Sequence, residues 1–192
     1  MAFSTLVRHA STSKGPQVIY QGPLATVARR LKLFSISSLG LSAGMSPLIY
    51  VIDVPIPMVA RTVLVGAALF TSMASTGLIH WVMSPYVSKM TADDASKPET
   101  INLHTYSMTA RELVTTVPVS ALQPSTRIFT SWMVSDPSRA KGMLAKSGKA
   151  MKPKHMFYVH PELCQEDPLK SLVNRIETQA THKEDNSFTQ HL

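Results

Sequence analysis

The sequence predicts a membrane α-helical hairpin of two transmembrane helices, followed by a small β-rich (α+β) soluble C-terminal domain. Three observations predict it. Residues 33–52 and 62–83 are runs without Asp, Glu, Lys or Arg. A helix of about 20 residues rises about 30 Å, the thickness of a bilayer's hydrocarbon core. The runs are joined by the short segment 53–61, punctuated by Pro55 and Pro57, which suits a tight turn between two spans. Beyond Tyr86 the pattern changes to short runs rich in Val, Thr and Ile, the residue types of strands. Hydrocarbon offers no water to backbone groups, so each run must pair its own N–H and C=O groups as a helix.

The first 13 residues hold no acid and several Ser and Thr, with Phe3, Leu6 and Val7 ahead of Arg8. Such a start reads as a mitochondrial presequence, a transit peptide, rather than a secretory signal, because it lacks a long apolar core. Residues 14–32 then hold a short extended segment at Val18-Ile19-Tyr20, a turn at Gly22-Pro23 and a basic helix start with Arg29, Arg30 and Lys32. Lys89 follows the second run, and the connecting segment carries only Asp53 and Arg61. Under the positive-inside bias, both termini lie on the matrix or cytoplasmic side.

Within the hairpin, 33–83, the spans are rich in small residues. Gly40, Gly44, Gly66, Ala68, Ser72 and Gly77 are the expected helix-packing residues, since small side chains let helix backbones approach closely in lipid. They serve either the hairpin's own packing, a partner's helices or a second copy of the chain. Pro47 is expected to kink or end the first span, and Tyr50, Trp81 and Tyr86 to anchor the interfaces. His80 is the one ionisable side chain in the spans, so a small transporter or channel component ranks third among the readings.

The soluble domain is expected over 84–165. Thr100–Met108, Glu112–Val119, Ser125–Val134 and Met156–Val159 read as antiparallel strands, with Pro118 and Gln123-Pro124-Ser125 as breaks. The basic segment 139–154 is read as a solvated loop or linker, or as a contact for anionic headgroups such as cardiolipin. The contact set for lipid or an acidic partner is Arg29, Arg30, Lys32, Lys146, Lys149, Lys152 and Lys154. No nucleic acid is expected, because the cluster lacks interleaved aromatics. In 166–192, Pro168–Gln179 suits a short amphipathic helix and the rest a disordered polar tail.

The net charge of +7 is therefore concentrated beside the membrane and in one stretch of the domain. Cys164 is the sole cysteine, which excludes an intramolecular disulfide. His155, His160 and Cys164 match no standard metal spacing, and no phosphate loop or dinucleotide fingerprint occurs. No catalytic, cofactor or metal residue is named, and an enzyme is not expected.

The Tyr20-Gln21-Gly22-Pro23-Leu24 turn, the basic approach Arg29-Arg30-Leu31-Lys32 into Phe34-Ser35-Ile36-Ser37-Ser38, and the small-residue hairpin with its Pro-rich turn resemble the transmembrane protein 70 family. The resemblance is best over Val18 to Tyr106. It implies a mitochondrial inner-membrane hairpin with both termini in the matrix. It also implies an assembly factor, or chaperone, for oxidative phosphorylation complexes, acting on the ATP synthase rotor ring or the complex I membrane arm. A permanent accessory subunit of such a complex is the alternative. Its partners would be membrane subunits of those complexes.

Overall fold

The computed structural model describes residues 15–189 apart from Val54 and Ala95, so the expected presequence lies outside the described residues. A strand, β1 (Gln17–Gln21), comes first. The chain then forms α1 (Ala25–Met45), the single turn α2 (Leu48–Val51) and α3 (Met58–Met83). Pro47 makes the break after α1, having no N–H to continue the helix. Both helical stretches, Ala25–Val51 and Met58–Met83, are long and apolar enough to cross a membrane. The first begins earlier than residue 33 because the basic approach is continuous with it.

The rest of the chain forms β2 (Val87–Ala92), β3 (Thr100–Tyr106), β4 (Glu112–Pro118), β5 (Leu122–Pro124), β6 (Trp132–Val134), β7 (Lys141–Leu144), β8 (Ala150–Met151), β9 (Met156–Phe157) and α4 (Leu169–Thr189). Alternation explains β3 and β4: Ile101, Leu103 and Thr105 point inward opposite Val117, Thr115 and Leu113. One antiparallel sheet has the order β1-β2-β3-β4-β7-β8, and a second has β5-β6-β9. An isolated parallel bridge between Tyr86 and Tyr158 links them. Their shared core holds Met90, Ile101, Leu103, Phe157 and Trp132, and α4 adds Leu169, Leu172 and Ile176. Those three sit at i, i+3 and i+7, one apolar stripe of a helix.

Four sequence expectations change. The expected strand Ser125–Val134 is a strand only at Trp132–Val134, and the expected break at Gln123-Pro124 lies within β5. Phe129 adopts a left-handed φ of 57°, which turns the intervening loop away from any sheet ladder. Instead of a linker, the basic segment contains the β7–β8 hairpin, with Gly148 at φ 61° in its turn. Helix α4 runs through Thr189, replacing much of the expected disordered tail.

The hairpin is inserted between two paired strands. β1 precedes α1, β2 follows α3, and the two are antiparallel partners with Gln17 opposite Ala92 and Gln21 opposite Lys89. The two membrane helices therefore leave the same sheet edge, and β1 and the C-terminal domain lie on one side of any bilayer the hairpin crosses.

Candidate partner and lipid interface at the membrane junction

Buried or half-buried positions recur on α1 at Ala28, Lys32, Ser35, Leu39 and Ser42, followed by its C-cap Ser46, and on α3 at Arg61, Val65, Leu69, Ser72, Thr76 and Ile79. Spacings of three and four give the left-handed seam of a coiled coil. This seam is polar. Ser35 Oγ donates to Thr76 Oγ1 at 2.8 Å, and Thr76 Oγ1 lies 3.3 Å from Ser35 O. Ser42 and Ser72 hydroxyls meet at 3.2 Å. At the far end, Arg61 donates from Nη1 to the Ile49 and Ile52 carbonyls at 3.3 and 3.1 Å, closing the turn.

The expected packing residues divide. Ser72 lies in the seam, whereas a Cβ built on Gly40, Gly44, Gly66 or Gly77 would meet nothing within 4 Å. Gly66 and Gly77 each follow a buried seam residue by one position, a rotation of about 100° around the helix. Ala68 is exposed too. The glycines thus leave shallow places on the hairpin's outer faces, among exposed Phe34, Leu41, Phe70 and Met73.

At the sheet end, close approach fixes the hairpin's foot. A Cβ on Gly22 would lie 2.6 Å from both Tyr86 Oη and the Val87 carbonyl, so only glycine fits there. The Gly22 N–H donates to Ser88 O at 2.9 Å, and the Leu24 N–H to Tyr86 Oη at 2.8 Å. The β3–β4 turn is held by Ser107 N–H donating to Arg111 O at 2.8 Å, with Ala110 left-handed at φ 55°. This turn receives two cations. Lys32, only 2% exposed, donates to Tyr106 O at 3.0 Å, and Lys154 donates to the same carbonyl at 3.1 Å and to Ser84 O. Burial, aided by the charge of Lys32, pulls the Lys154 amine down to about 7. Lys32 and Lys154 thus act as struts between hairpin and sheet.

The other expected cations stay outside. Arg29, Arg30, Lys146, Lys149 and Lys152 are exposed. Arg29 and Lys146, distant in sequence, share with Arg111 the wall of a cavity of about 550 Å³. A larger cavity of about 830 Å³ lies at the end of α3, bounded by Trp81, the loop containing Ile128 and Phe129, and Lys152 and Lys154. Sequence reasoning missed that loop, although two adjacent large apolar residues after Pro124-Ser125 were its signal.

The histidines take separate roles. His160 packs edge-on to Tyr158 and Tyr86, with ring centroids at 5.3 and 5.9 Å, and its carbonyl accepts from the Cys164 thiol at 3.4 Å. His155 lies at the larger cavity. His104 Nδ1 lies 2.7 Å from Glu112 Oε1, and its Nε2 lies 3.3 Å from Thr91 Oγ1, a cross-strand network spanning β2, β3 and β4. Tyr20, whose Oη accepts from the His160 N–H at 3.2 Å, is pushed by burial up to about 12.

Comparison with known proteins agrees with this architecture. Residues 15–158 match the TMEM70/TMEM186/TMEM223 protein family, a stretch covering the hairpin and every strand of both sheets. A curated relative, "Uncharacterized protein C1834.10c" of Schizosaccharomyces pombe (strain 972 / ATCC 24843), is 29% identical over 155 residues, 80% of this chain and 79% of its own length. The chain belongs to the TMEM70/TMEM186/TMEM223 family.

Proposed function

We propose that this family member is a non-enzymatic assembly factor of the mitochondrial inner membrane, with both termini in the matrix. Its clients are membrane subunits of oxidative phosphorylation complexes, in the ATP synthase rotor ring or the complex I membrane arm. One observation carries the reading: Gly40, Gly44, Gly66 and Gly77 face outward, unused by the hairpin's own seam. Small residues in lipid-facing positions offer another helix a close approach, worth having only where a helix docks. The serine and threonine seam keeps the hairpin paired while clients come and go.

The test is native-gel complexome profiling of mitochondria with and without the protein, coupled to recovery of partners by affinity capture. The expected result is comigration with incomplete intermediates, loss of one finished complex in its absence, and weaker capture for Gly40→Leu and Gly66→Leu. Constant stoichiometry in a finished complex overturns the reading in favour of a permanent subunit. Intact complexes in its absence overturn it altogether.

A further inference from the structure

The cavity at the end of α3 combines three properties. It adjoins the membrane, because Trp81 on the last turn of α3 forms part of its wall and is 67% exposed. Another part of its wall is apolar and open, with Ile128 82% and Phe129 50% exposed on the loop that carries the left-handed Phe129. Among the described residues its charged lining is wholly cationic: Arg127, Lys152 and Lys154 contribute and no Asp or Glu does. His80, also in the lining, has a buried Nδ1 without a hydrogen-bond partner among the described residues.

We propose that this cavity binds an anionic phospholipid, its phosphate held by Arg127 and Lys152 and its acyl chains passing Trp81 and Phe129 into the bilayer. Lys154, occupied by the Ser84 and Tyr106 carbonyls, adds its field when protonated while its Nζ stays on those oxygens. Arg127 is available for a phosphate, since its one described side-chain contact is a weak one to the Met156 thioether at 4.0 Å. A guanidinium forks onto phosphate oxygens in paired hydrogen bonds, and an exposed lysine adds a point charge. A soluble anion would engage the cations and leave the apolar wall in water. A lipid at the membrane surface satisfies both. The proposal requires the spans to lie in a bilayer and assumes nothing about a client.

The chain has two tryptophans, and Trp132 is buried in the sheet core, so Trp81 reports on the cavity. The full chain is reconstituted in phosphatidylcholine nanodiscs containing a minor fraction of either brominated phosphatidylglycerol or brominated phosphatidylcholine, and quenching is read. Trp81→Phe assigns the signal. The anionic bromolipid should quench Trp81 more strongly at equal fraction, and Arg127→Gln and Lys152→Gln should each lower that preference about fivefold. Lys97→Gln with Lys170→Gln removes two positive charges elsewhere and should leave it unchanged. Phe129→Ala should weaken quenching without a change of charge, with unquenched Trp132 emission reporting an intact core. Equal quenching by both lipids overturns the proposal in favour of ordinary annular contact. An equal loss in the Lys97 and Lys170 variant reduces it to diffuse surface charge, and reversal by millimolar inorganic phosphate reassigns the cavity to a free anion.

Discussion

The two halves of the molecule differ in what they bury and what they expose. The hairpin's buried groups include Lys32, Ser35 and Thr76 beside Ala28 and Val65, while Phe34, Phe70 and Leu41 point outward. In the sheet domain Met90, Ile101, Leu103 and Phe157 fill the interior. The difference follows from the solvent each half meets. Apolar side chains gain nothing by leaving lipid for one another, so helix pairing there rests on hydrogen bonds and close packing. In water the same side chains drive collapse. A hairpin with its greasy surface outside is thus coherent only when embedded in a bilayer.

The sharpest way to break this contrast is a pair of phenylalanine truncations. Phe157→Ala should destabilise the sheet domain by about 3–5 kcal/mol, read from denaturant unfolding by Trp132 fluorescence in micelles. Phe70→Ala should change hairpin stability by no more than about 0.5 kcal/mol. Comparable losses at both sites would mean that the hairpin face is a core rather than a lipid surface.

Where the halves join, Gly22→Ala should destabilise by about 1–3 kcal/mol, because the added methyl must displace Tyr86 or the Val87 backbone. Limited proteolysis of the β1 segment gives the readout, and protection equal to the parent would show that the foot adjusts freely. Lys154 supplies a pH test with a definite sign. Its folded-state value is about 7, whereas the unfolded lysine stays protonated to its ordinary value near 10.5. Between those limits the unfolded chain binds more protons, so stability rises with pH. Below pH 7 both states are protonated and the contribution is flat. Lys154→Met should show a smaller rise than the parent, which a midpoint series from pH 6.5 to 9.5 compares directly; parallel curves would exclude the buried strut. The smallest effect belongs to Ser35→Ala. Loss of its hydroxyl bond to Thr76 should cost about 0.6 kcal/mol, measured by titrating mixed micelles with a denaturing detergent.

Some of this was legible in the sequence. Two uncharged runs with a proline turn could hardly be anything but spans, and β3 and β4 announced themselves by clean alternation. β2 gave no such signal. Five of its six residues are buried, including Ser88 and Thr91, so polar letters occupy interior places. The β7–β8 hairpin was masked by lysines, which suit an exposed sheet edge as well as they suit a loop. In the spans, glycine drew the reading to Gly40 and Gly44, but the working seam is written in hydroxyls. Ser35 and Ser42, seven residues apart, carried the heptad signal. Nothing local could have brought Lys32 and Lys154 to one carbonyl, because that meeting depends on the finished sheet.

The pairing of β1 with β2 couples folding of the sheet to the topology of the hairpin. Those strands are separated in the chain by both helices, and they can meet only when the hairpin has crossed the bilayer an even number of times. A chain with one helix inserted and the other left behind would strand β1 on the wrong face and leave the edge of β2 open. Such an unpaired edge invites aggregation or capture by proteases and chaperones. The sheet therefore proofreads the topology of the helices that interrupt it.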